Sequence, residues 1–405
     1  MRARRIVLLL PVLLFTLACA SASRPTVATT ADGCTPICCS WPCWAKCAGQ
    51  PDDPGCGSGS RPGVPPGCVP PPYVPPGPQC PPAPATDCSQ GTPTAPPPPA
   101  PCAPTDTPCG LGPRQPGQFQ FAVVGDWGDN VCQSGLTCPA AVASLVRSWN
   151  DRWPLDFILT TGDNFYPGGK EDAVAANMAL YDWIGPQPSF PGDAFRFLPS
   201  VGNHELYNSG CGQPYYDYFS FLTPYTRTQK NQPRYYAYPI GDGNLIEVFS
   251  INANNSEPDG IGANCVQYNW IKQRMLNSKA AWKIVIFHEP PFSTYTPGTS
   301  PQLNWPFADW GAAVVLTGHI HAYERIVDPT TTLTYVINGI GGVNGKDPIT
   351  NESCFPPIAG SQVRYTSAVG AMVGVATTNE LRFCLLAVDA DHPDGLCVDR
   401  FSIVK

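Results

Sequence analysis

The sequence predicts an α/β fold over residues 118–405, preceded by an irregular N-terminal region. From Phe119 onwards, apolar runs of strand length alternate with segments of helical spacing, and residues 334–404 then contain strand patterns with glycine-rich turns. Cysteines and prolines are concentrated before Gln118. Hydrophobic residues make up 43% of the 405 residues, which is enough for a sizeable core. The formal net charge is −7 without a basic run beyond the N-terminus, so the composition does not indicate nucleic-acid binding.

The N-terminal region divides into three parts. Residues 1–20 resemble a secretory signal peptide, because arginines precede an apolar run at 6–17 that is too short to span a membrane. Residues 21–61 contain closely spaced cysteines and are predicted to form a small disulfide region, with a thiolate metal site as the alternative. Residues 62–117 are dominated by proline and predict an extended linker.

Strands and helices follow in order from Gln118. The predicted strands cover residues 119–124, 156–160, 195–198, 235–240, 245–251, 282–287 and 314–316. The predicted helices cover residues 140–149, 171–184 and 267–276. The glycines at 241 and 243 are typical of a hairpin turn between two of these strands.

Metal-ligand residues stand at the ends of several predicted strands, where open α/β sheets bind their ligands. Seven residues have this position: Asp126, Asp163, Tyr166, Asn203, His288, His319 and His321. Four of the five histidines of the chain lie in these turns. A lone histidine is usually structural, but several histidines beside carboxylates at convergent loops predict a metal site. Gly162 permits the sharp turn that directs Asp163 towards it.

Seven protein ligands fit two metals better than one. Two metals about 4 Å apart need a shared carboxylate and polarise both the attacking and the leaving oxygen of a phosphate ester. With one trivalent and one divalent ion, two carboxylates, a phenolate and a bridging hydroxide leave a net charge of about +1, which attracts a phosphate dianion. A tyrosine loses its proton only near pH ~10. Tyr166 in the ligand set therefore favours a hard trivalent ion, iron(III), over zinc.

Five short blocks resemble the metal-binding motifs of the purple acid phosphatases, which belong to the calcineurin-like metallophosphoesterases. The blocks follow the family's order: Gly125-Asp126-Trp127-Gly128, Gly162-Asp163-Asn164-Phe165-Tyr166, Gly202-Asn203-His204-Glu205, His288, and Gly318-His319-Ile320-His321. The first two resemble the small mammalian type, and the last, continued to Arg325, resembles the plant type. The tyrosine after the second aspartate separates this family from its relatives. The resemblance does not extend to residues 1–117.

This resemblance implies a sandwich of two mixed β-sheets flanked by helices. It also implies a ligand set for each metal. Iron(III) would be held by Asp126, Tyr166 and His321. A divalent iron, zinc or manganese would be held by Asn203, His288 and His319. Asp163 would bridge the two metals.

The implied activity is hydrolysis of phosphate monoesters at acid pH, with a metal-bound hydroxide as the nucleophile. One position departs from the family, because Pro297 stands where a second substrate-facing histidine is usual. Glu289 and Tyr295 are the polar residues nearby. His204 is therefore the predicted catalytic acid, since histidine is protonated at acid pH and can donate to the departing oxygen. The alternative is that His204 only orients a ligand.

Two other functions stay open at this point. One is a two-metal phosphodiesterase acting on nucleotide or lipid diesters, and the other is a non-catalytic extracellular module. The expected partner is a phosphate ester, without nucleic acid as a structural partner and without a transmembrane segment. The expected location is extracellular, with a lipid anchor at Cys19 or a vacuolar or lysosomal site as alternatives. The N-terminal region is a candidate for contact with a cell wall or surface.

The positions of the cysteines and of two sequons predict covalent modifications. Seven cysteines lie in the catalytic part, and this odd number predicts one disulfide to the N-terminal region. The predicted pairs are Cys132–Cys138, Cys211–Cys265, Cys384–Cys397 and Cys109–Cys354. Asn254 and Asn351 begin glycosylation sequons, which matter only in a eukaryotic source.

Overall fold

The computed structural model describes residues 34–37, 44–47, 108–128, 139–184, 196–207, 209, 212–228, 232–295, 298–343 and 357–405. Its helices are α1 (Pro139–Arg152), α2 (Glu171–Met178), α3 (Gln213–Tyr218) and α4 (Val266–Asn277). Within these ranges, none of the helices has the length and apolar character needed to cross a membrane.

Fifteen strands are present in the described residues. In chain order they are β1 (Cys34–Ile37), β2 (Trp44–Cys47), β3 (Phe119–Val124), β4 (Phe157–Thr160), β5 (Phe197–Pro199), β6 (Tyr236–Ile240), β7 (Ile246–Ser250), β8 (Trp282–Ile286), β9 (Val314–Thr317), β10 (Tyr323–Val327), β11 (Thr334–Asn338), β12 (Ser361–Tyr365), β13 (Val369–Ala376), β14 (Glu380–Val388) and β15 (Leu396–Val404).

Two mixed sheets carry the fold, as predicted. Sheet 1 has the strand order β15-β14-β13-β3-β4-β5, in which β3, β4 and β5 run parallel. Sheet 2 has the order β12-β10-β11-β9-β8-β7-β6, in which β7, β8, β9 and β11 run parallel. The predicted hairpin is formed by β6 and β7, which pair antiparallel. Parallel strands place their carboxyl ends at one edge of a sheet, so the loops that follow these strands lie close together.

The centre of sheet 2 is buried on both faces. Ile284 and Ile286 of β8 join the apolar core that includes sheet 1, whereas Val285 and Phe287 belong to a second core. Helix α4 and the aromatic segment 305–310 close this second core. A strand buried on both faces has a near-continuous apolar sequence, which explains why β8 and β9 are visible in the sequence as uninterrupted runs.

Some element boundaries differ from the prediction. The helix predicted over 171–184 is α-helical only to Met178 and continues as a 3₁₀ turn, Ala179–Tyr181. Tyr181 and Ile184 are buried, so the apolar spacing persists although the backbone geometry changes. Strand β10 is not predicted from the sequence, because Glu324 and Arg325 within it interrupt the apolar pattern.

The N-terminal region contains more regular structure than predicted. Strands β1 and β2 form their own antiparallel pair, in which Cys34 lies opposite Cys47. Strands of four residues are too short for a two-residue period to be recognised among cysteines and prolines. The predicted signal peptide and most of the predicted disulfide region and linker lie outside the described residues.

The packed part of the chain extends to residues before Gln118, where the sequence predicts the domain boundary. Cys109 and Leu111 are buried in the main core. The backbone of Gly112 makes two hydrogen bonds with the side chain of Gln120 on β3, as donor at 2.9 Å and as acceptor at 3.1 Å. These contacts fix the incoming chain against sheet 1.

Cys109 forms a disulfide with Cys384 of β14, with the two Cα atoms 5.5 Å apart. The predicted pairs Cys384–Cys397 and Cys109–Cys354 are therefore wrong. Cys397 is also disulfide-bonded, but Cys384 lies opposite Arg400 in the β14–β15 ladder and so does not face Cys397. The disulfide pairing therefore follows the strand register in the sheet and not the closeness of the cysteines in sequence. The other predicted pairs involve residues outside the described part of the chain: Cys132, Cys138 and Cys211.

Replacement of both Cys109 and Cys384 by serine should lower the free energy of unfolding by about 2–5 kcal/mol, because the disulfide restricts the unfolded chain over a long loop. The two residues are separated by 275 positions in sequence. Denaturant titration of wild type and double variant measures the difference. Peptide mapping without reduction should recover Cys109 linked to Cys384, and a peptide joining Cys384 to Cys397 would contradict this assignment.

Candidate metal centre

Five strand-end loops converge at one edge of the two sheets. They follow β3, β4 and β5 of sheet 1 and β8 and β9 of sheet 2. These loops carry all seven predicted ligand residues, and the structure brings the seven side chains into one connected cluster: Asp126, Asp163, Tyr166, Asn203, His288, His319 and His321.

Tyr166 is at the centre of one half of the cluster. Its hydroxyl lies 2.8 Å from Asp163 Oδ2, 3.4 Å from Asp126 Oδ1 and 3.4 Å from His321 Nε2. His321 Nε2 is also 3.5 Å from Asp126 Oδ1. Three oxygen atoms and one nitrogen atom that could bind a metal are thus gathered around the Tyr166 hydroxyl.

His288 is at the centre of the other half. Its Nε2 atom lies 3.1 Å from Asp163 Oδ2, 3.0 Å from Asn203 Oδ1 and 3.2 Å from His319 Nδ1. One donor atom from each of Asp163, His288 and His319 falls within 4.8 Å of the others. Asp163 Oδ2 is common to both halves, and a carboxylate in this position is what a pair of metals requires.

Hydrogen bonds hold several of these side chains from behind. His288 Nδ1 lies 2.8 Å from the carbonyl oxygen of Thr161, which can only accept, so Nδ1 carries the proton and Nε2 faces the cluster. Asp163 Oδ1 accepts from the backbone N–H of His204 at 2.9 Å. Asp126 Oδ2 accepts from the backbone N–H of His319 at 3.0 Å. Such contacts orient ligands and leave the facing atoms available.

The backbone is strained where the side chains meet. Asp126, Asp163 and His319 have φ values of 54°, 49° and 68°, in the left-handed region that non-glycine residues rarely adopt. Gly202 lies so close to Asp163 that an added Cβ atom would collide with its side chain and backbone. The loops therefore approach more closely than ordinary turns would allow.

The donor set fits metal ions. Asp126 and Asp163 are buried, and in the described part of the chain neither carboxylate forms an ion pair with lysine or arginine. Buried carboxylates need a compensating cation, because removing them from water is costly. Carboxylate, phenol and amide oxygens beside imidazole nitrogens suit iron, zinc and manganese.

The pKa values follow from burial and from neighbouring charges. Burial acts to raise the pKa of Asp163, but the adjacent His288 and other histidines outweigh it and hold the pKa well below its usual range. Burial acts to lower the pKa of His288, and Asp163 reverses this and raises it well above its ordinary value. Burial and the charge of His288 lower the pKa of His319 to about 4. Burial and the carboxylates of Asp163 and Asp126 raise the pKa of Tyr166.

Glu205 joins two of the ligand loops. Its Oε1 atom accepts from the backbone N–H groups of Asn164 at 2.6 Å and Phe165 at 2.9 Å, and its Oε2 atom accepts from Gly202 N–H at 2.5 Å. The side chain is buried, and burial together with the charge of Asp163 raises the pKa of Glu205 to about 8. The loop that carries Asp163 and the loop that carries Asn203 are thereby fixed to each other.

Asn164 ties the same loops to the strands beneath them. Its side-chain oxygen accepts from Trp127 Nε1 at 3.2 Å and from Thr160 Oγ1 at 2.5 Å, while its amide donates to Ser200 O at 2.8 Å. The ends of β3, β4 and β5 are linked through one buried amide.

In sheet 2, Glu324 is the buried side chain that links neighbouring loops and strands, as Glu205 and Asn164 do in sheet 1. It is buried on β10 and accepts from Ser293 Oγ at 2.8 Å, Thr294 N at 2.9 Å and Ser361 Oγ at 2.7 Å. It therefore fixes the segment after His288 to the strand after the His319–His321 turn. No role is predicted from the sequence for Glu205, Asn164 or Glu324. Their presence within the motif blocks was the available signal, but only the fold shows which backbone groups they reach.

His204 lies at the rim of the cluster. Its Nδ1 atom donates to Pro167 O at 3.1 Å, and its Nε2 atom is 3.9 Å from Asp163 Oδ2. The ring packs against Tyr166 and Tyr207, with centroid distances of 4.1 and 4.9 Å. The side chain remains 27% exposed, so it can reach both the cluster and a molecule arriving from solvent.

Asn254 is buried beside the cluster. Its amide donates to Gly202 O at 3.3 Å and to Asn252 Oδ1 at 3.2 Å. A glycan on this nitrogen is incompatible with these contacts, so the structure disfavours the first predicted sequon. The second sequon, at Asn351, and the family departure at Pro297 lie outside the described residues.

The two mixed sheets and a strand-end cluster of carboxylates, imidazoles, a phenol and an amide define a metallophosphoesterase. The sequence profile of the calcineurin-like phosphoesterase family matches residues 119–323, and the chain belongs to this family.

Similar proteins include purple acid phosphatases and tartrate-resistant acid phosphatases. The chain is 23% identical to purple acid phosphatase 17 of Arabidopsis thaliana over 255 residues, which cover 56% of this chain and 70% of the relative. It is 26% identical to tartrate-resistant acid phosphatase type 5 of Mus musculus over 255 residues, covering 57% and 74%. The resemblance seen in the five motif blocks is thus confirmed.

Solved structures share the fold. The purple acid phosphatase PPD1 from yellow lupin (Lupinus luteus) superposes with a TM-score of 0.55 at 16% identity, covering 72% of this chain and 54% of that one. GAP50, described as the anchor in the inner membrane complex of Plasmodium, superposes with a TM-score of 0.50 at 17% identity, covering 71% and 89%. At these identities the likeness shows the fold alone.

Proposed function

We propose that this protein is an exported acid phosphatase that uses two metals to hydrolyse phosphate monoesters. The observation that carries the proposal is the position of Asp163 Oδ2, 2.8 Å from the Tyr166 hydroxyl and 3.1 Å from His288 Nε2. One carboxylate oxygen thus serves two separate sets of donors. The acid phosphatases among its relatives, at 23% and 26% identity, add support.

Each half of the cluster would hold one metal. The first would be iron(III), held by Asp126, Tyr166 and His321. The second would be a divalent iron, zinc or manganese, held by Asn203, His288 and His319. Asp163 would be shared. When bound, the metals would supply Lewis acidity to the phosphoryl oxygens and an activated water for attack.

His204 is the proposed catalytic acid. Because Nδ1 donates to Pro167 O, Nε2 is the nitrogen that can transfer a proton. Contacts with the rings of Tyr166 and Tyr207 fix the imidazole, and its exposed edge can meet the oxygen of the departing alcohol. Protonation of that oxygen removes the negative charge that would otherwise develop on it.

Export is proposed on the sequence alone. A signal peptide at residues 1–20 would direct the chain out of the cytoplasm, and the cysteine-rich segment 21–61 suits an oxidising compartment. The Cys109–Cys384 disulfide is in keeping with such a compartment. The N-terminal region would contact a cell wall or surface, and the proline-rich segment would act as a spacer.

The full chain should contain about two metal ions per molecule and should hydrolyse p-nitrophenyl phosphate faster than bis(p-nitrophenyl) phosphate, most rapidly at acid pH. Metal analysis and kinetics with both esters over a range of pH measure this. Asp163→Asn removes the shared carboxylate and should reduce both metal content and turnover. Faster hydrolysis of the diester would favour the phosphodiesterase alternative, and a metal-free, inactive protein would favour a non-catalytic module.

The oxidised, iron-loaded protein should be coloured, because an iron(III)-phenolate pair absorbs visible light through charge transfer. Tyr166→Phe should remove the visible band and leave the fold intact, as measured by absorption and circular dichroism. Tyr218, whose side chain is exposed at 41%, offers a matched control, and Tyr218→Phe should keep the band. Colour that survives in Tyr166→Phe would place iron away from this residue.

His204→Ala should lower turnover roughly 10²- to 10⁴-fold, the usual range for general acid catalysis. The loss should be smaller for esters whose alcohol leaves readily without a proton, and metal content should be unchanged. Kinetics over a series of leaving groups, with metal analysis, test both points. His392→Ala, at an exposed histidine of the β14–β15 connection, is the control. An equal loss with good and poor leaving groups, or loss of metal, would show that His204 only orients a ligand.

A further inference from the structure

A cleft of about 240 Å³ opens beside the candidate metal centre. Two of the candidate ligands, Asn203 and His319, line it, and Tyr207 lines it next to Asn203. A phosphate ester bound at the metals would extend into this space, with its phosphoryl group at the end where these ligands lie. The residues at that end of the cleft are therefore the ones that could contact the reacting group.

The position of Tyr207 is fixed by its backbone and by its ring. One 3₁₀ turn, His204–Leu206, separates it from Asn203. The Tyr207 N–H donates to His204 O at 3.2 Å, and the Tyr207 carbonyl oxygen accepts from Gly169 N–H at 3.2 Å. The ring meets that of His204 nearly edge-on, with the centroids 4.9 Å apart. Two loops of the metal centre therefore hold this residue before a substrate arrives.

The hydroxyl of Tyr207 has a hydrogen that is available for a ligand. Asn203 Nδ2 donates to the hydroxyl oxygen at 3.2 Å, while Asn203 Oδ1 faces His288 Nε2 at 3.0 Å. A phenol hydroxyl can donate one hydrogen bond in addition to those it accepts. In the described part of the chain, the Tyr207 hydroxyl donates to no other group. Because the side chain is partly exposed and lines the cleft, a bound ligand can accept this hydrogen bond.

The lining of the cleft includes no permanent positive charge, because none of its eleven residues is lysine or arginine. Taking the charged oxygens of a phosphate group out of water is costly unless protein donors replace the water. Neutral donors would therefore have to help the metals to hold the group. The amide of Asn254 is already engaged with Gly202 O and Asn252 Oδ1, at 3.3 and 3.2 Å. The Tyr207 hydroxyl lies beside a candidate ligand and has its hydrogen available.

We propose that Tyr207 is a further catalytic residue, whose hydroxyl donates a hydrogen bond to a phosphoryl oxygen that stays on phosphorus during the reaction. This inference rests on the proposed phosphatase function. The role differs from that of His204, which would protonate the oxygen of the departing alcohol. A hydrogen bond to a charged phosphoryl oxygen stabilises the bound ester and the transition state whatever the alcohol, and it stabilises bound inorganic phosphate as well.

The test compares full-length wild type with Tyr207→Phe, which removes the hydroxyl and keeps the ring that contacts His204. Values of kcat/KM are measured for a series of aryl phosphates whose alcohols differ in acidity. The affinity for inorganic phosphate is measured by calorimetry, and the metal content by elemental analysis. Tyr218→Phe, at an exposed tyrosine of α3 that does not line the cleft, removes the same group elsewhere and is the matched control.

In Tyr207→Phe, kcat/KM should fall about 10- to 100-fold, as expected for the loss of a hydrogen bond to a charged group. The factor should be the same for good and poor leaving groups. Inorganic phosphate should bind more weakly by about the same factor, and metal content should be unchanged. Tyr218→Phe should match wild type in all three measurements.

Three results would overturn the proposal. Unchanged phosphate affinity would show that the hydroxyl does not contact the phosphoryl group. A loss confined to poor leaving groups would place it at the departing oxygen, and loss of metal would show that it acts only through Asn203. Hydrolysis of p-nitrophenyl phosphate by wild type tests the phosphatase function separately. If this hydrolysis is absent, that function is wrong, whereas the phosphate affinities of wild type and Tyr207→Phe still decide whether the hydroxyl binds phosphate.

Discussion

The buried carboxylate of Asp163 is the constraint on which the site depends. One of its oxygens is held by the backbone N–H of His204, and the other lies between Tyr166 and His288. Even after relaxation, burying such an ion costs several kcal/mol unless positive charge is near. His288 supplies part of that charge, as the lowered pKa of Asp163 shows. A pair of metals sharing this oxygen would supply the rest, so the feature that is costly in isolation would favour the binding of cations.

The loops that hold that carboxylate have a strained backbone, and buried hydrogen-bond acceptors offset the strain. Asp126, Asp163 and His319 all have left-handed backbone conformations, which cost about 1–3 kcal/mol each. Buried acceptors repay this cost, because Glu205 binds three backbone N–H groups across two loops and Glu324 fixes the segment after His288. The parallel strands place the loops at one edge, and these carboxylates then set their final spacing.

The seven candidate ligands could be predicted from the sequence because each follows a recognisable apolar strand, and strand ends converge in this class of sheet. The contacts of Glu205 and Glu324 could not, since both depend on backbone groups far away in sequence. The disulfide prediction failed for the same reason. Cys384 and Cys397 are close along the chain, but the β14–β15 register places Arg400 opposite Cys384 and Leu386 opposite Cys397, and Cys109 reaches Cys384 across 275 residues.

Fold similarity alone does not decide what this chain does. A lupin purple acid phosphatase and a Plasmodium anchor protein superpose on it with similar TM-scores, 0.55 and 0.50. Within this fold, the side chains at the strand ends therefore determine the chemistry that is possible. Those side chains depend on supports from both sheets: Glu205 and Asn164 fix the loops of sheet 1, and Asn254, which follows β7 of sheet 2, donates to Gly202 O. Because this hydrogen bond joins the two sheets, a substitution at Asn254 can disturb the loop that carries Asn203, although Asn254 is not itself a candidate metal ligand.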